Sequence, residues 1–221
     1  MNMIELDPEV LAQWRGPLSD GIDPARTALI VIDMQVGFIE EGYPAAGPHA
    51  VDIIPNVNRL IAAFRAAGAH IVFTRHTMID EKPYAPPEWQ QEDTFFKAML
   101  DGLRPGASGH PLHAGIDVAP EDRIIDKYRY SAFLPISSPL DADLRARGID
   151  TVVIAGTVTN VCCESSARDA HMLNYEVVFV ADANAAFDDS AHNTTLAAMA
   201  RFFAVVKTTD AVIENIKYNN N

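Results

Sequence analysis

Three side chains of complementary chemistry close apolar segments of this sequence. Asp33 ends the run TALIVID, Lys127 follows Arg123–Asp126, and Cys162 lies just beyond Thr151–Ala155, in the stretch GTVTNVC. A carboxylate can take the proton of a thiol, and an ammonium nearby stabilises the anions that result. Cys162 sits where a strand turns into a helix, with Thr159 or Asn160 as a candidate N-cap. Unpaired N–H groups and the positive dipole end at such a place lower a thiol pKa and can hold an oxyanion. The competing roles are a small buried core residue for Cys162, a turn former for Asp33 and a solvated Lys127.

The chain has two cysteines, the adjacent Cys162 and Cys163. Neighbouring cysteines rarely bridge, because the ring is strained, and two cannot build a four-ligand zinc site. Helical geometry turns about 100° per residue, so both cannot face one crevice. Cys162, nearer the turn, is expected to be the low-pKa thiol. Cys163 is expected to be buried, protonated and inert.

The elements that must position these groups alternate along the chain. Short β-branched runs at Thr27–Asp33, Ala69–Thr74, Arg123–Asp126, Thr151–Ala155, Glu176–Ala181 and near Ala204–Thr208 read as strands. Helical spacing covers Ile54–Ala67, Pro139–Arg147, Val161–Leu173, about Ser190–Arg201 and a last segment from Asp210; the first two end at Gly68 and Gly148. Apolar strands alternating with helices imply an α/β domain whose parallel sheet is covered on both faces. In doubly wound sheets, ligands bind beyond the carboxyl ends of the strands, where strand order reverses. If the first and fourth strands are neighbours, Asp33 and Cys162 face that crevice. A proline- and glycine-rich region, about 78–120, interrupts the rhythm and is expected to form a lid.

With 221 residues, 48% hydrophobic and 21% charged, the chain suits one domain over 1–221 with an N-terminal arm over 1–24. The net charge of −13, from 17 basic and 30 acidic residues, argues against nucleic acid or an anionic membrane as a partner. Apolar runs such as Ala28 to Ile32 are far too short to cross a bilayer. No basic-then-apolar leader opens the sequence, so a cytoplasmic location is expected.

The segments ALIVIDMQVGF (Ala28–Phe38), KYRYSAF (Lys127–Phe133) and GTVTNVCCESSARDA (Gly156–Ala170) resemble the isochorismatase-like cysteine hydrolases in order and spacing. The likeness covers nearly the whole chain from about residue 25. It implies a six-stranded, mainly parallel sheet in the order 3-2-1-4-5-6 and an Asp33–Lys127–Cys162 triad. It also implies a cis Thr157–Val158 bond that aims the Val158 N–H, with that of Cys162, at an oxyanion. Cys163 falls where that family usually has valine. A homo-oligomer, a dimer or tetramer, is implied as well.

Metal-binding members carry an Asp-x-His cluster after the second strand, where this chain reads Thr74-Arg75-His76-Thr77-Met78. No metal or other cofactor is therefore expected. The implied activity is hydrolysis of an amide, ureido, carbamoyl or lactam C–N bond in a small molecule, through a thioester. Gln35, Phe38, His76, Trp89 and Tyr130 are candidate pocket residues. One alternative is a vinyl-ether hydrolase that uses Asp33 alone and survives loss of Cys162. Another is a catalytically silent binding protein.

Overall fold

A computed structural model describes residues 1–217; the residues 218–221 included in the expected domain lie outside it. In chain order the elements are α1 (Pro8–Ala12), β1 (Thr27–Ile32), α2 (Val36–Ile39), α3 (Ile54–Ala66), β2 (His70–His76), α4 (Glu88–Glu92), α5 (Thr94–Leu103) and β3 (Arg123–Lys127). They continue with α6 (Leu140–Ala146), β4 (Thr151–Thr157), α7 (Glu164–Met172), β5 (Glu176–Ala185), α8 (Asp189–Ala198), β6 (Val205–Lys207) and α9 (Thr209–Glu214). Among the described residues the strands form one sheet in the order β3-β2-β1-β4-β5-β6, every pairing parallel. Chain order reverses between β1 and β4, so the crevice opens where the sequence places Asp33 and Gly156–Cys162.

Every residue of β1 is buried because both faces of the sheet are covered. Leu29 and Val31 belong to one core with Val57, Leu60, Ile61 and Phe64 of α3 and Val212 of α9. Ala28, Ile30 and Ile32 belong to the opposite core with Leu140 and Leu144 of α6 and Ala167 and Ala170 of α7. The α3 stripe follows i, i+3, i+4, i+7 spacing, which turns all four side chains to the sheet. Pro55 starts this helix, where a missing N–H is harmless, and Gly68 at φ +73° ends it. Burying each large apolar side chain contributes about 1.5–3 kcal/mol, so Leu60→Ala would cost about 2–5 kcal/mol.

Some elements differ from the sequence reading. The 78–120 region carries α4 and α5 as well as loop. The Asp93 carboxylate accepts from the N–H groups of Phe95 and Phe96, capping α5, which buries Met99 and Leu103. The N-terminal segment is tied down: Asn2 bonds Asp189 and the Ala186 N–H, and Ile22 pairs with Ile216. The helix expected at Val161–Leu173 begins as one wider π turn, Thr159–Cys163, before α7. No helix of the described residues is long and apolar enough to cross a membrane.

Candidate active site

β1 and β4 approach more closely at their carboxyl ends than any side chain allows. Gly156 pairs with Ile32 at φ +128°, and a Cβ there would lie 2.1 Å from the Ile32 carbonyl oxygen. That approach sets Asp33 beside the turn carrying the cysteines. Asp33 adopts a left-handed φ of 50°, uncommon for a non-glycine residue. Hydrogen bonds hold it there. Its N–H meets the Thr74 carbonyl and hydroxyl at 3.2 Å, the Thr74 hydroxyl donates to Oδ1 at 2.7 Å, and Thr157 Oγ1 donates to its carbonyl at 2.8 Å.

Lys127 closes β3, two strands away, and extends beneath β2 to the same point. It is wholly buried, and its Nζ lies 2.7 Å from Asp33 Oδ2, 3.1 Å from the Arg129 carbonyl, 3.2 Å from His76 Nδ1 and 3.3 Å from Cys162 Sγ. Asp33 Oδ2 touches the ammonium without an aligned hydrogen bond, which leaves it free to accept one. Cys163 is fully enclosed in the core under α7. The Thr157–Val158 bond is cis.

Electrostatics correct one expectation. Burial pushes the Cys162 thiol up to about 12; Lys127 opposes the shift and Asp33 adds to it. The resting group is a thiol. The dipole argument fails because the cysteine sits inside the π turn rather than at a capped α-helix start. The Val161 and Cys163 N–H groups there are committed to the Val158 carbonyl. Thr159 is no cap either, since its hydroxyl bonds His192 Nδ1 at 3.0 Å. Burial and its neighbour Cys162 hold the Cys163 thiol well above its ordinary range. Burial alone would lower Lys127, but the charge of Asp33 and contacts with Asp33 and Cys162 outweigh it and raise its pKa. Burial, then Lys127, depresses His76 well below the usual imidazole range, so its ring is neutral.

Donor atoms of Asp33, His76 and Cys162 lie within 4.8 Å of one another, close enough in principle for a metal ion. The Lys127 ammonium contacts all three, so the point where their lone pairs converge already holds a cation. Zinc ligands sit about 2.0–2.3 Å from the ion, and the ammonium leaves no such room. The donor set does not fit a metal.

A cavity of about 140 Å³ opens over Cys162, walled by Phe38, Phe95, Phe96, Met99, Val161 and Phe187. A larger one, about 350 Å³, lies against Tyr84, Trp89, Gln90 and Arg129. His76 and Tyr130, stacked at 5.8 Å, line both. Of these two cavities, the smaller reaches the sulfur.

The isochorismatase domain model matches residues 27–211. The chain belongs to the isochorismatase family. Within this family it is 33% identical to the ureidoacrylate amidohydrolase RutB of Variovorax paradoxus, over 94% of this chain and 87% of that protein. The crystal structure of a cysteine hydrolase from Pseudomonas syringae pv. phaseolicola is similar, with a TM-score of 0.81, 30% identity, and coverage of 93% of this chain and 96% of that one. N-carbamoylsarcosine amidase from Thermoplasma acidophilum gives a TM-score of 0.69 at 28% identity, covering 84% and 97%.

The residues expected from the isochorismatase family likeness thus fall in different places. Asp33, Lys127 and Cys162 converge, and Phe38, His76 and Tyr130 line the sulfur cavity. Gln35 does not line it. Its Nε2 donates to the His76 and His110 carbonyls and its Oε1 accepts from the His76 N–H, which fastens the end of β1 to β2. Trp89, 64% exposed, lines the larger cavity instead, because short α4 holds it away from the sulfur. Sequence reasoning named Thr157 for its cis bond but not for its hold on Asp33, and it missed Thr74, which also holds Asp33, and His192, which anchors the π turn.

Proposed function

We propose that the protein hydrolyses an amide-type C–N bond of a small molecule through a Cys162 thioester, with Asp33 as proton acceptor and Lys127 as counter-ion. One observation carries this reading: the Cys162 sulfur lies at the floor of an apolar cavity, in contact with a buried Lys127–Asp33 pair. The names of the relatives support the same reaction class.

The buried thiol is protonated, so activation comes from proton transfer during attack rather than from a standing thiolate. As Sγ bonds the carbonyl carbon, its proton passes to Asp33 and the carbonyl π electrons move onto oxygen. The N–H groups of Val158 and Cys162 are the proposed oxyanion donors. Collapse breaks the C–N bond, and the nitrogen takes the proton from Asp33 and leaves as ammonia or an amine. Water then attacks the thioester and gives a proton to Asp33. The C–S bond breaks, and the proton returns to sulfur.

Cys162→Ala is the direct test, with ammonia or amine release and intact-protein mass read together. Loss of turnover with an unchanged fold is expected, as is a trapped acyl adduct in the native protein only. Full turnover in Cys162→Ala would refute the thioester and favour chemistry by Asp33 alone.

A further inference from the structure

We propose that this site takes amides of a compact, uncharged hydrocarbon acyl group, about the size of one six-membered ring, and rejects acids of that size. The proposal rests on the thioester reading above and names its substrate class. Three independent observations lead to it.

The first is size. The cavity over the sulfur holds about 140 Å³. An apolar cavity of about 150 Å³ accommodates benzene, so one ring with its reacting carbonyl fills this space. The second is chemistry. Phe38, Phe95, Phe96, Phe187, Met99 and Val161 supply most of the wall. Two of its polar atoms are engaged elsewhere: Tyr130 Oη accepts from Gln90 Nε2 at 3.1 Å, and His76 Nδ1 faces Lys127 at 3.2 Å.

The third is charge. Among the described residues, no lysine or arginine lines this cavity. Lys127 lies beneath it, but its three N–H groups already face four acceptors: Asp33, Arg129, His76 and Cys162. Arg129 is turned away, its guanidinium bound to the carbonyls of Pro83, Tyr84 and Tyr128 at 2.7 Å. A substrate carboxylate would be stripped of water beside the Asp33 carboxylate with no cation to receive it. The net charge of −13 repels anions at longer range. A hydrocarbon ring brings no charged group that would need a partner there.

Benzamide and cyclohexanecarboxamide would be compared with succinamate and ureidopropionate by ammonia release, and all four by calorimetry with Cys162→Ala. The neutral amides should exceed the acids in kcat/KM by roughly a hundredfold or more, and only they should bind the variant. Phe187, 41% exposed at the cavity mouth, can be replaced without burying a charge. Phe187→Arg should close most of that gap by offering the acids a cation.

Faster turnover of succinamate or ureidopropionate by the native protein would overturn the inference and leave the hydrolase reading standing. Binding of the neutral amides alone, with no turnover of any compound, would support the cavity assignment and sink the hydrolase reading. Failure of both neutral amides to bind Cys162→Ala would overturn the inference.

Discussion

Replacing the members of the buried ion pair singly and together gives a measurable signature. Lys127 and Asp33 are both 0% exposed and meet at 2.7 Å. At an effective dielectric constant of about 20, unit charges at that separation attract by about 6 kcal/mol, offset by the desolvation of each. Lys127→Met leaves a carboxylate buried without a counter-ion, and Asp33→Asn leaves an ammonium in the same position. Each change should cost about 3–5 kcal/mol, a large share of the roughly 5–15 kcal/mol that holds a domain folded. Acting independently, the two changes would together remove about 6–10 kcal/mol. The double variant Asp33→Asn/Lys127→Met strands no charge, so it should lose no more than the worse single variant. The expected coupling is therefore about 3–5 kcal/mol. Urea unfolding of all four proteins, with matched m-values, measures it. Losses that add to within about 0.5 kcal/mol would show that the two groups do not depend on each other, and the assignment of Lys127 as counter-ion would fall.

Two further outcomes follow from the same geometry. Cys162, with its thiol near 12, should alkylate with iodoacetamide before Cys163 but slowly near neutral pH, with a rate that climbs as pH rises past 9. Since its folded pKa lies above the ordinary thiol value of 9.0, the associated stability is complete below pH 9 and is lost as pH rises toward 12. Fast alkylation at neutral pH, or Cys163 reacting first by peptide mass, would contradict this. Gly156→Ala forces a Cβ against the Ile32 carbonyl at 2.1 Å in a conformation that alanine avoids, so β1 and β4 must part. It should lower stability by more than about 3 kcal/mol and abolish activity; a thermal melt within a degree or two of the native protein would refute the close-approach argument.

The sheet was legible because β1, β4 and the Val177–Ala181 part of β5 are buried on both faces and so are rich in apolar, β-branched residues. Asp33 stood out as the first ionisable group after such a run and Lys127 as the end of the shorter third strand, and the order of strands followed from the family likeness. Thr74 did not stand out. Its hydroxyl matters only because β1 and β2 are paired so that it meets the Asp33 carboxylate across the sheet, a relation no local pattern encodes. α5 was hidden among the prolines and glycines on either side, although Asp93 and the Phe96–Met99–Leu103 spacing mark it in hindsight. The thiol pKa was misread for a related reason. A helix start can be seen in sequence, whereas desolvation depends on the walls that surround the group.

Burying an ion pair beside a thiol has a consequence for the proposed reaction. The ammonium of Lys127 lies 2.7 Å from Asp33 Oδ2 and 3.3 Å from Cys162 Sγ, and its three protons cannot satisfy four acceptors at once. In the resting state the carboxylate is the anion, and the thiol keeps its proton. When that proton passes to Asp33 as sulfur bonds the carbonyl carbon, the negative charge moves to the substrate oxygen, but the cation does not have to move. The charge of the site is zero before the transfer and zero after it. A free carboxylate would lose its solvation on entering such a place, and a lone thiolate would not form there at all. The pair lets a dry cavity perform an ionic step, because Asp33 gives up its charge as the oxyanion gains one and Lys127 stays in place as the cation. The apolar walls then act in favour of the chemistry, since exclusion of water strengthens the Lys127 interaction with whichever group is charged.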